Sequence, residues 1–157
     1  MLQIHVALSL IGIVSGLVVL YGLLSGRPLG GWTALFLATT VLTSVTGFPL
    51  APFGFDPPRA VGVISLVLLA LAVAALYVFR LAGAWRWVYV GSAIAALYLN
   101  VFVAVVQAFQ KLPFLQPLAP TQSEPPFLIA QVAVLAIFIV LGILAAIRFH
   151  PELEASA

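Results

Sequence analysis

The sequence predicts an all-α, polytopic integral membrane helix bundle with five transmembrane helices. Hydrophobic residues make up 64% of the 157 positions and charged residues only 6%, and the mean hydropathy is +1.27. Soluble domains carry roughly 25% charged residues, so this chain could not cover a water-facing surface. Apolar stretches near the length of a bilayer span alternate with short breaks of proline, glycine and charge.

A helix needs about 20 apolar residues to cross a hydrocarbon core of about 30 Å. The first stretch, 4–24, follows an N-terminus without the basic region of a secretory signal and holds no A-x-A-like cleavage site, so it reads as a retained span. SGRPLGG ends it. The second stretch, 32–50, is the weakest, because Gly47 and Pro49 shorten it. Losing it would leave four spans and put both termini on one side. APFGFDPPR leads to the third, 60–79, and RLAGAWR to the fourth, 87–109. The 17 residues QKLPFLQPLAPTQSEPP then lead to the fifth, 127–148. No internal repeat or disordered linker divides residues 1–157, which read as a single transmembrane domain.

Five spans put the termini on opposite sides. Arg27, Arg80, Arg86 and Arg148 fall on one face, Arg59 and Lys111 on the other. The positive-inside rule assigns the arginine-rich face to the cytoplasm, so the N-terminus is expected outside and the C-terminus inside. Trp32, Trp85 and Trp87 share the expected inner face as interfacial anchors. In composition the chain is similar to small multi-pass proteins of bacterial inner membranes. Nine of the eleven prolines lie in the second and fourth connections or, as Pro49 does, at the very edge of the second, which reads as two stiff outer caps carrying Phe53, Phe55 and Phe114.

Polar residues inside the spans recur at helical spacing. On the fourth span Ala93, Asn100, Ala104, Gln107 and Lys111 fall within about 60° of one another. Amides in lipid need partners and small residues admit another helix, so this face is expected to meet protein or a wet cavity. The first span repeats the pattern with His5, Ser9, Gly12 and Gly16, the two glycines forming a GxxxG packing motif. Thr33, Thr40, Ser44 and Gly47 do so on the second span. With alternate spans antiparallel, His5, Ser44, Gly47, Gln107 and Gln131 share one depth near the outer surface. They are expected to line a polar pocket with Asn100 as its floor. Arg59, Lys111, Glu124 and Asp56 sit above it, as ion pairs that pin the caps or as contacts to a ligand headgroup.

Several chemistries lack their residues. The chain has no cysteine, hence no thiolate nucleophile. No His/Asp/Glu cluster shows metal-ligand spacing. His5 and His150 fall on opposite faces, which disfavours a bis-histidine haem within one chain. No acid lies inside a span, which disfavours a proton-coupled pump. No basic run tracks nucleic-acid phosphates. No catalytic constellation is visible. Two expectations follow: an accessory or scaffold subunit docking other membrane subunits or its own copies, and a binding module for a quinone- or lipid-like membrane-soluble ligand. The cofactor, if any, is not specified by the residues.

Overall fold

The computed structural model describes residues 1–50 and 57–150, so Asp56, Phe53 and Phe55 lie outside the described residues. Five helices account for most of the chain: α1 (Leu2–Leu24), α2 (Gly30–Gly47), α3 (Pro57–Val73), α4 (Trp85–Lys111) and α5 (Pro125–Arg148). A short 3-10 turn, Phe48–Leu50, extends α2, and a π-helical segment, Ala74–Val78, extends α3. No strand occurs among the described residues.

α1, α3 with its π extension, α4 and α5 are long and apolar enough to cross a membrane. α2 falls short of that standard, and its composition is the reason. Its 18 residues include three glycines and five threonines. Its register nevertheless carries it along α1. The start of α2 lies beside Gly22, Phe36 beside Gly16, Thr39 and Thr40 beside Gly12, and Thr46 beside His5. α2 therefore runs antiparallel to α1 through the same depth, and the termini of the bundle lie at opposite ends.

Hydroxyls buried in such helices need acceptors, and the backbone supplies them. Ser15 donates to Ile11 O, Thr33 to Leu29 O, Thr39 to Leu35 O and Ser92 to Val88 O, at 2.6–2.8 Å. This bond to the preceding turn removes the cost of an unpaired hydroxyl in apolar surroundings.

Helices α1 to α4 enclose a core that includes Leu20, Phe36, Leu69, Val90 and Leu97. α5 packs against α4 and α1 from outside. Its aliphatic side chains Ile129, Val132, Ile139, Val140 and Ile143 face outward, as lipid contact requires. α4 has 27 residues, about 40 Å at 1.5 Å per residue, so its ends project beyond a hydrocarbon core.

The long connection before α5 is fastened to α4. Phe109, Ala119 and Phe127 form a small core, with the two rings edge-to-face at 5.5 Å. Gln122 donates to Val106 O at 3.4 Å and accepts from Gln110 at 3.2 Å.

Candidate functional site

Several of the residues expected to line an outer pocket meet in pairs across the helices. His5 Nδ1 lies 3.0 Å from Thr46 Oγ1, with Gly47 giving the ring room. Asn100 Nδ2 donates to Thr40 Oγ1 at 3.4 Å. A Cβ on Gly12 would come 3.2 Å from that hydroxyl and 3.4 Å from the amide, so the missing side chain of Gly12 lets α4 reach α2 across α1. Gly16 is tighter still. Its Cβ would stand 2.5 Å from Leu97 Cδ1 and 3.0 Å from the Phe36 ring. The small-residue face of α1 is thus occupied within the chain.

Gln131 is buried and donates to Phe102 O at 3.2 Å, leaving its Oε1 without a partner. Arg59 donates to Phe48 O at 3.4 Å, tying the start of α3 to the end of α2. Ser44 is half-buried, and Gln107 and Lys111 are exposed along the end of α4.

Glu124 turns to its own loop. Its carboxylate accepts from Thr121 Oγ1 at 2.6 Å, Thr121 N at 3.0 Å and Ser123 N at 3.1 Å. Led by the Thr121 hydroxyl, these donors stabilise the charged form and pull its pKa down to about 2. The loop before α5 holds Glu124 through these bonds, and Pro125 and Pro126 start the helix at positions where a missing N–H costs nothing.

A cavity of about 370 Å³ opens at the other end of the bundle, where the arginines gather. Its deep wall is apolar: Val19 and Leu23 from α1, Leu76 from the π segment, and Leu81. Thr33, Tyr77 and Tyr89 add hydroxyls, and the Thr33 and Tyr89 side chains interact. Arg27 and Arg80 border it. Both are exposed, and neither pairs with an acid among the described residues.

Local sequence explains how each wall is built. α1 ends in a Schellman turn: Gly26 takes φ 71°, its N–H bonds Leu23 O, and Arg27 N–H bonds Gly22 O at 2.7 Å. Glycine adopts that conformation without strain, and Pro28 prevents the helix from continuing. Arg27 is thereby delivered to the cavity mouth. On the opposite wall α3 widens into π geometry, with Phe79 N–H bonding Ala74 O at 2.9 Å. The chain then places two successive non-glycine residues in the left-handed region, Arg80 at φ 50° and Leu81 at φ 61°. Such residues cost of order 1–3 kcal/mol each and persist only where the surroundings fix them. Two contacts do so here. The Phe79 and Trp85 rings stack at 3.9 Å, and Leu81 is buried in the core.

Phe149 closes the floor. It is held by Arg86, whose Nη1 donates to Phe149 O at 2.6 Å and to Ala146 O at 3.3 Å. A cation at a helix C-terminus satisfies orphan carbonyls and opposes the helix dipole. The same guanidinium lies 4.3 Å from the Trp87 ring. Arg86 is therefore spent on structure, in contrast to Arg27 and Arg80.

In the sequence Arg27 and Arg80 are legible only as orientation signals, and nothing there marks the cavity. SGRP was a legible helix stop. Nothing in RLAGAWR announced a left-handed Arg80–Leu81 pair, since Gly83 is the residue expected to take that conformation.

Compared with known proteins, the chain matches no family model, no curated protein and no solved structure.

Proposed function

We propose that the chain is a binding module for a membrane-soluble amphiphile of the quinone or lipid kind, held in the cavity at the arginine-rich end. The observation that carries this reading is the cavity's construction. Ligand sites are concave, mostly apolar, and carry a few placed polar groups, with volumes of about 300–1,000 Å³. This one has an apolar depth, three hydroxyls and two arginines at its border. At about 370 Å³ it has room for a headgroup and the first part of a tail. The remaining tail would lie along the lipid-facing helices. A π segment and a strained turn also fit a binding role, because both cluster at functional sites.

An accessory or scaffold subunit is the second reading. Its best argument was the small-residue face of α1, and that face is filled by Phe36, Leu97 and Asn100 of the same chain. The outward faces of α5 need only lipid to cover them. Binding therefore leads.

In the membrane, the arginine-rich end is proposed to face the cytoplasm of a bacterial cell, with four basic residues there against Arg59 and Lys111 at the other end. A reporter active only in the cytoplasm, fused after Ala157, should be active; silence would reverse the orientation.

The binding reading is tested by filling the cavity. Leu76→Trp and Gly30→Leu place bulk among the lining residues, and a Cβ at Gly30 meets open space. Chain extracted gently from its own membrane should retain a small molecule in native mass spectrometry, and both variants should lose it while unfolding near the wild-type temperature. Equal retention in folded variants would contradict the proposal.

A further inference from the structure

Resting on the cavity as an amphiphile site, we infer that its occupant carries an anionic phosphate group, held at the mouth between Arg27 and Arg80. The four arginines at this end divide by their surroundings. Arg86 is committed to the carbonyls that end α5 and to the Trp87 ring. Arg148 lies exposed in the last turn of α5, away from the cavity lining. Only Arg27 and Arg80 border the cavity, and they face it from opposite connections, α1–α2 and α3–α4. Two guanidinium groups bordering one opening make a local positive field that an anionic group would neutralise.

The chemistry selects an anionic headgroup over a neutral one, and phosphate is the anion that phospholipids present to basic pockets at the membrane surface. Guanidinium presents paired N–H donors that match phosphate oxygens bidentately. Tyr77, half exposed on the same wall, offers a phenolic hydroxyl. The start of α2 adds further donors, since it has no side-chain cap and its Gly30 and Gly31 leave the backbone open. A quinone ring would use none of this charge. Basic pockets between membrane helices near the cytoplasmic surface hold phospholipid headgroups by the same means.

The left-handed turn acquires a purpose in this setting. Had α3 simply continued, residue 80 would lie on a helical face instead of at a turn. The π segment and the Arg80–Leu81 pair place Leu81 in the core and leave Arg80 at the mouth. The strained backbone delivers the charge.

The experiment uses the full chain, purified in a neutral detergent and stripped of lipid. Phosphatidylglycerol, phosphatidylcholine and inorganic phosphate are offered, and bound mass is read by native mass spectrometry. Phosphatidylglycerol should bind more tightly than phosphatidylcholine. Arg27→Gln and Arg80→Asn should each weaken it about five-fold, the value of one basic side chain near an anionic surface. Arg148→Gln, at the same end but outside the cavity, should leave it unchanged. Phosphate that displaces the lipid at millimolar concentration would identify a site for the free anion as well as the headgroup. Phosphate that fails to do so would assign it to the lipid alone; both support the phosphate chemistry. Equal binding of the two lipids, insensitive to Arg27 and Arg80, would overturn the anionic inference and leave the amphiphile reading standing. An Arg148→Gln loss as large as that of Arg27→Gln would overturn it too, as general surface charge. Failure to bind either lipid would overturn the phosphate inference, while the amphiphile reading falls only if the cavity-filling variants retain the same small molecule.

Discussion

Gly12 and Gly16 show how a pattern visible in the sequence brings its polar and small residues onto their neighbours. The spacing of Asn100 correctly required a partner, and the partner is Thr40, reached past the bare Cα of Gly12. Helical periodicity reports which side of a helix faces protein, and here small residues bring the helices close enough for Asn100 to reach Thr40. Gly16 is the tightest point. Adding one methyl there pushes on Leu97 and Phe36, both almost fully buried and unable to withdraw. Gly16→Ala should therefore lower stability by about 1–3 kcal/mol, the usual cost of overpacking. Gly91→Ala adds the same methyl to α4 where nothing lies within 4 Å, and should raise stability by about 0.5–1 kcal/mol through helix propensity. Denaturant unfolding in mixed micelles separates the two; the same response from both would mean that α1 does not approach α4 and α2 this closely.

At the scale of elements, all five helices were legible from apolar runs and their breaks, including α2, whose weakness as a span has a visible cause in its threonines. The ends were less legible. SGRP announces a Schellman turn through Gly26 and Pro28. The close of α3 announces nothing, because a π segment and a left-handed Arg80–Leu81 pair are imposed by the Phe79–Trp85 stack and the burial of Leu81. These are tertiary causes, invisible to local propensity. Glycine accepts positive φ freely where arginine does not. Arg80→Gly should accordingly gain about 1 kcal/mol in stability while weakening lipid binding about five-fold, a trade of function against strain. Thermal unfolding of the stripped protein checks the first half. No gain in stability would show that the turn is unstrained and weaken the case that the backbone is held there for Arg80.

For the molecule as a whole, the two ends of the bundle differ in kind. One end carries pairwise contacts, His5 with Thr46, Asn100 with Thr40, Gln131 with Phe102, and a fastened loop. The other end is held open. There the helix ends stop short of one another around a strained turn, and Arg86 pins Phe149 beneath the opening. A cavity made from helix ends and connections has no period in the sequence, so polar stripes could not announce it. The central claim is that an amphiphile sits in that opening. Photolabelling in native-like bilayers, with a phospholipid bearing a photoreactive group next to its phosphate and read by peptide mass mapping, tests it most directly. Saturable labelling concentrated at Leu29, Leu76 and Tyr77, and suppressed by Leu76→Trp, is the predicted result. Labels spread evenly over the interfacial residues of both ends, unchanged by filling the cavity, would contradict it.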